Sequence, residues 1–423
     1  MGEPKLTVSG SPGRGWVIAL VLATAGVAVG WFGPIQILLP AQAEVIGLGG
    51  SGGRGKESLL ALVTGVGAAG SMIANPLWGA LSDRLRARTG SRAPVLVAGA
   101  LLGVSGLLVL SAASSVPTMV IGWLAVQVGL NGPFAVLAAL IADRVPPARR
   151  GLVGSLFGVA QLAGTVAGTV LAVATGEGRL GYLAVAVAVA LLVVPILLTG
   201  APFRGEPLVD DARPARRTAV GRPRPGRAFA AAFGLRLLLN LVSALGLLYL
   251  YYFLSDRAGV ADPGTWVLVL TVCYVTVAGA AAASAGPVSD RLGHRRGIAG
   301  AAALVLAAGS VLLAAAGPMA VVVTAVLVLG LGYGLFLAVD VAVVTDALPD
   351  PGTRATLLGV ANVASSLPQV LAPVLAAPVV TGPGSYTLLY LGTAAIALVA
   401  LPVLPFLPVA PVPVAAGPEV MSR

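Results

Sequence analysis

The sequence predicts an all-α polytopic membrane protein, with twelve transmembrane helices arranged as two pseudo-symmetric six-helix bundles. Three observations predict it. Hydrophobic residues make up 57% of the chain and charged residues only 10%, against about 25% charged in an average globular domain. The apolar residues fall in long runs, and a bilayer core of about 30 Å needs roughly 20 residues at about 1.5 Å each. The chain also repeats itself. Gly79–Gly90 reads GALSDRLRARTG and Gly286–Gly297 reads GPVSDRLGHRRG, identical at seven of twelve positions and half the chain apart.

Charge clusters, Gly and Pro divide the runs into spans at 16–39, 58–81, 93–113, 117–142, 151–175, 179–199, 229–254, 265–288, 298–316, 319–345, 355–379 and 385–407. The first run is too long for a signal-peptide core and is read as a membrane helix. The second ends in the charged phrase, and the eighth ends in its copy. Gly158–Ala163 (GVAQLA) in span 5 is echoed by Gly359–Ala364 (GVANVA) in span 11, and Asp143 after span 4 by Asp346 after span 10. The longest link holds seven Arg and five Pro between Gly200 and Arg227, a composition that resists compact folding. The expected organisation is a six-helix bundle over 1–199, a cytoplasmic Arg/Pro-rich linker over 200–228, a second bundle over 229–407 and a tail over 408–423. With both termini cytoplasmic, 21 of the 26 Lys and Arg residues lie inside, four lie outside (Arg54, Lys56, Arg179, Arg257), and Arg236 lies within a span. That bias sets the orientation and accounts for the net charge of +10 without nucleic acid. Gly pairs four apart (Gly26/Gly30, Gly99/Gly103, Gly154/Gly158, Gly164/Gly168, Gly330/Gly334) permit close helix approach.

Other classes are excluded by what the chain lacks. It has no G-x-x-x-x-G-K-[ST], H-E-x-x-H or G-x-S-x-G motif. It has one Cys, Cys273, and one His, His294. The expectation is no enzyme, no catalytic residue, no metal and no cofactor.

Intramembrane polarity marks the candidate site. Arg236 in span 7 and Asp340 in span 10 are the two ionisable residues well inside spans, and each costs about 2.5–3.5 kcal/mol at a helix centre on insertion scales. Both lie in the inner half, where opposite charges offset that cost. No acid is expected inside a span of the N-terminal half. Arg236, Asn240 and Ser243 share one face of span 7, Tyr333 and Asp340 one face of span 10, and Asn362, Ser366 and Gln369 one face of span 11. Gln161, Thr165 and Thr169 stripe span 5, Gln127 and Asn131 share a face of span 4, and Gln36 stands in span 1. A polar stripe in lipid must face protein or water, so each residue either lines a cavity or bonds a neighbouring helix.

The phrase G-x-x-S-D-R-x-x-x-R-x-G, placed after the second helix of each half, resembles the signature loop of the major facilitator superfamily. Asn75–Pro94, Phe32–Glu44 (FGPIQILLPAQAE) and Ala361–Pro373 (ANVASSLPQVLAP) resemble, more narrowly, the glycoside–pentoside–hexuronide and sucrose-type cation symporters. Where those carry a basic triplet before Pro, this chain has Ser91-Arg92-Ala93-Pro94. The resemblance implies the major facilitator fold and alternating access, with helices 7 and 10 adjacent, which brings Arg236 and Asp340 together as a pair. It implies a conformational latch at Gly79, Asp83, Arg84 and Arg88 and again at Gly286, Asp290, Arg291 and Arg295. A topogenic charge cluster is the alternative. It also implies a monomer in the plasma (inner) membrane, in contact with the lipid bilayer. The expected function is proton-coupled symport of a small, sugar-like molecule. Proton-coupled efflux of a small organic compound and a non-transporting receptor or scaffold are the alternatives; span 5 lacks the Pro that exporters of this fold often carry.

Overall fold

The computed structural model describes residues 13–48, 55–200, 226–292, 294–315, 317–347, 354–380 and 385–408. Regular structure among them is helical, and twelve helices are long and apolar enough to cross a membrane. They are α1 (Arg14–Gly47), α2 (Gly55–Thr89), α3 (Ala93–Ser111), α4 (Val116–Arg144), α5 (Pro147–Ala174) and α6 (Arg179–Leu198). The second half supplies α7 (Arg227–Arg257), α8 (Pro263–Leu292), α9 (Arg295–Ala315), α10 (Met319–Asp346), α11 (Arg354–Val380) and α12 (Ser385–Val399), which continues as a 3₁₀ turn, Leu401–Phe406. The Arg/Pro-rich stretch to residue 225 and the tail from 409 lie outside the described residues. Below, the side on which α6 ends and α7 begins is the linker side, and the opposite one the far side.

Local chemistry explains the helix ends. The charged phrase was expected as a loop, yet α2 runs on through it to Thr89. Nothing between Ser82 and Thr89 breaks a helix. Gly90, with φ 71°, closes it, as glycine does best in the left-handed region after a helix. Its N–H donates to the Arg86 carbonyl at 2.8 Å. Ser115 and Thr118 form a reciprocal capping box at the start of α4, and Asp262 Oδ1 accepts the Thr265 N–H at 3.0 Å at the start of α8, each satisfying an amide the helix leaves unpaired. Two helices carry a wider, π-helical turn: Pro34–Leu38 in α1 and Phe253–Arg257 in α7.

The chain divides into two compact units. Unit 1 comprises Met1–Ala219, Ala244–Val272 and Ser366–Leu389; unit 2 comprises Val220–Ser243, Cys273–Ser365 and Tyr390–Arg423. The division therefore cuts through helices: the first six share a unit with the far-side parts of α7, α8, α11 and α12. Small residues bring helices together in both units. A Cβ on Gly99 of α3 would lie 2.7 Å from the Gly129 carbonyl of α4, and one on Gly330 of α10 would lie 2.8 Å from the Tyr274 carbonyl of α8. Gly154 and Gly158 face open space instead, so that spacing alone does not mark a contact.

Candidate functional site

Unit 2 contains the ion pair expected from the sequence. Arg236 Nη2 of α7 lies 3.2 Å from Asp340 Oδ2 of α10, with the two side chains 14% and 8% exposed. The rest of the α7 stripe is engaged around it. Asn240 Nδ2 donates to the Arg236 carbonyl at 2.8 Å, and Asn240 Oδ1 accepts from the Tyr333 hydroxyl at 3.2 Å. Ser243 and the Tyr274 hydroxyl of α8 bond each other at 2.7 Å. Tyr274 stacks on Tyr333, with ring centroids 6.0 Å apart. A buried pair of this kind is held by its own completeness: removing one partner strands a charge at about 3–5 kcal/mol.

The polar residues of the first half divide into two kinds. Gln36 sits on the π-helical turn of α1, and its Oε1 accepts from Thr169 of α5 at 2.7 Å and Thr271 of α8 at 3.1 Å. Asn131 Nδ2 donates to Ser71 of α2 at 2.6 Å and to the Gln127 carbonyl at 2.7 Å. Thr165 donates to the Gln161 carbonyl one turn earlier, at 2.9 Å, so that hydroxyl is satisfied within its own helix. The Gln127 and Gln161 side chains are half-buried, Gln369 is exposed, and the Asn362 side chain lies outside the described residues.

The first charged phrase is wired through an arginine that lies outside it. Asp83 was expected in a latch with Arg84 and Arg88, and those two are exposed. Its partner is Arg92, at 2.7 Å. Because α2 stays helical, Arg84 and Arg88 project from it, while the turn at Gly90 brings Arg92 back. Arg92 is 6% exposed and spans three acceptors: Asp83, Ser82 Oγ at 2.8 Å and Asp143 Oδ2 at 2.9 Å. Arg86 takes the other oxygen of Asp143 at 2.5 Å. In the second phrase Arg295 pairs with Asp346, and Arg296 donates to the Leu407 carbonyl. The side chains of Asp290 and Arg291 lie outside the described residues. A Cβ on Gly79 or Gly286 would meet nothing within 4 Å, so close packing does not demand glycine at either position here.

Sequence reasoning missed a second charged cluster, at the far side of unit 1. Lys56, expected in an external loop, sits in the first turn of α2. Its Nζ meets Asp256 of α7 at 2.8 Å and Glu44 of α1 at 3.3 Å, over the Tyr252 ring at 4.9 Å. Glu57 beside it, just before the expected span 58–81, is 7% exposed. Three closely spaced tyrosines of α7 reach the first six helices: Tyr249 to the Glu57 carbonyl at 3.4 Å, Tyr251 to Glu177 Oε2 at 2.5 Å and Tyr252 to the Pro40 carbonyl at 2.9 Å. Burial holds the Glu177 carboxyl above its ordinary range, partly opposed by the Tyr251 hydrogen bond. The run Tyr249–Tyr252 just before Asp256 was the available signal: three hydroxyls in a membrane helix need acceptors.

Comparison with known proteins agrees with this architecture. The chain matches the Major Facilitator Superfamily over residues 20–261 and again over 261–421. No curated protein matches it in sequence. Among solved structures it is similar to a peptide transporter, POT, crystallised with sulfate: TM-score 0.74, 13% identity, covering 96% of this chain and 97% of that one. A bacterial homologue of the human lysosomal transporter Spinster, inward-facing and occupied, gives 0.71 at 14% identity over 92% and 95%. A variant of the nucleoside transporter NupG gives 0.71 at 13% over 92% and 99%. Identities this low speak to the fold, while the match over both halves speaks to the family. The chain belongs to the major facilitator superfamily, as a multi-pass membrane protein and a secondary transporter rather than an enzyme.

Proposed function

We propose that the protein is a proton-coupled symporter of a small polar solute, with the Arg236–Asp340 pair as its coupling centre. The observation that carries this reading is the pair itself. Two ions at a membrane helix interior are expensive, and a scaffold has no use for that expense. A proton on Asp340 releases Arg236; its departure restores the pair. The sugar-like class implied by the resembled symporter branch is the first to test. Both termini face the cytoplasm of a plasma (inner) membrane, in keeping with the Lys and Arg bias, and the working unit is a monomer. The first charged phrase, with Arg92 between Asp83 and Asp143, acts as the linker-side latch of the alternating-access cycle.

The test is proton movement into vesicles containing the purified full chain, challenged with mono- and disaccharides. A sugar-driven proton flux that Asp340→Asn reduces by more than about tenfold, the equivalent of about 1.4 kcal/mol, supports the reading. Counterflow of hydrophobic or cationic compounds under an imposed proton gradient, with no response to sugars, assigns the protein to efflux instead.

A further inference from the structure

Arg236 has more hydrogen-bonding capacity than its surroundings use. A guanidinium presents five N–H donors in a planar fork. Here Nη2 meets Asp340 end-on at 3.2 Å, while Nε is sealed from water without an acceptor. The ion pairs around Arg92 are shorter, at 2.7 and 2.9 Å, and share the cation between two acids. No second acid serves Arg236 among the described residues. Asn240 Oδ1 is taken by Tyr333, and Ser243 and Tyr274 satisfy each other. Among the described residues, the titratable groups facing Asp340 are Arg236 from α7 and Tyr333 from its own helix, with Tyr274 of α8 stacked behind Tyr333.

Charge balance then constrains the solute. If Asp340 takes a proton while the solute is neutral, Arg236 becomes an uncompensated buried cation, which is strongly unfavourable. If the solute brings its own negative charge, the cation is never alone. A carboxylate also fits the fork formed by Nε and one Nη, in two parallel hydrogen bonds, and so supplies the acceptor that Nε lacks.

We infer that Arg236 is the seat of a carboxylate carried by the solute, which takes the guanidinium fork when Asp340 accepts a proton. The inference rests on the reading of the pair as the coupling centre. The proton passes from water to an Asp340 carboxylate oxygen. The solute carboxylate then accepts the Nε–H and an Nη–H. On release the solute leaves as the anion, Asp340 returns its proton to water, and the Arg236–Asp340 pair re-forms. One proton and one monoanion cross together, so the cycle moves no net charge.

The experiment uses the full chain in vesicles under an inward proton gradient. Labelled lactate, gluconate and benzoate are offered beside lactamide, glucose and benzamide, and thermal stabilisation of the purified protein by each compound is recorded in parallel. At least one carboxylate is expected to accumulate and to stabilise, while its neutral counterpart does neither. Arg236→Gln is expected to weaken that response about 10–100-fold, the value of a charge-assisted hydrogen-bond pair, with Arg236→Lys intermediate. The double variant Arg236→Gln/Asp340→Asn removes both charges together. It is expected to fold and to remain unresponsive to carboxylates, which separates loss of the seat from loss of the fold. Glucose or an amide driving proton uptake, with no response to any carboxylate, overturns the inference and leaves proton-coupled transport standing. Absence of both uptake and stabilisation by all three carboxylates overturns it too. Carboxylate uptake that requires Arg236 but moves no proton upholds the seat and overturns the coupling reading. Uptake driven by an imposed potassium diffusion potential overturns the one-to-one co-transport of proton and anion.

Discussion

The two copies of the charged phrase start from nearly the same letters and reach different structures. In the first, Arg92 gathers Ser82, Asp83 and Asp143, with Arg86 closing on the second oxygen of Asp143. In the second, the pair that forms is Arg295 with Asp346. The reason is one residue beyond the phrase. The position equivalent to Arg92 is Ala299, fully buried. Ser289, the counterpart of Ser82, is consequently buried without a hydrogen-bond partner among the described residues. Arg295, the counterpart of the exposed Arg88, does the pairing instead. Identity inside the motif thus says little about strength. The first copy is a shared-cation network, and Arg295 and Asp346 of the second are more exposed than Arg92 and Asp143 of the first.

Arg92→Ala strips three acceptors of their common partner, and the buried part of that loss is expected to cost about 3 kcal/mol, read as a fall in thermal midpoint of the purified protein. Arg92→Lys, which keeps charge but not the fork, is expected to recover part of it. Asp143→Asn comes next, at about 1–3 kcal/mol, whereas Asp346→Asn is expected to cost under about 1 kcal/mol, because that pair is about a quarter exposed and solvent screens it. Equal losses at Asp143 and Asp346 would erase the distinction drawn here. Ser82→Ala is expected to cost about 1 kcal/mol, while Ser289→Ala is neutral or stabilising, since it deletes a buried hydroxyl with no partner among the described residues.

The smallest expected effect is a control away from both copies. Glu177 is held above its ordinary value near 4.5, chiefly by burial. The far-side arrangement therefore binds its proton more tightly than free chain does. That stabilisation is present in full below about 4.5 and is lost as pH rises through the raised value. Glu177→Gln is expected to flatten thermal stability against pH across that window. A profile unchanged by the substitution would place the sensitivity elsewhere.

Much of the fold was legible because lipid imposes a simple rule: about 20 apolar residues per crossing. Arg236 and Asp340 were legible for the same reason, since a charge in such a run stands out. The Arg92 network was half-visible. Asp143 and Asp346 echo each other in sequence, and Arg92 occupies the place of the resembled basic triplet. Their meeting depends on α2 remaining helical to Thr89, which hydropathy cannot show. The far-side cluster was hidden because Lys56, Glu44 and Asp256 sit at helix ends, where charges are ordinary. Only tertiary packing distinguishes a solvated end from a buried one.

The tyrosine run of α7 has a consequence for biogenesis. Glu177 and the Glu57 and Pro40 carbonyls leave the ribosome well before Tyr249, Tyr251 and Tyr252 do. During that interval these three oxygens lack the tyrosine hydroxyls that meet them in the folded unit. The N-terminal half therefore reaches its native unit only after α7 has been inserted, and a chain arrested before residue 249 leaves the translocon as an unfinished body.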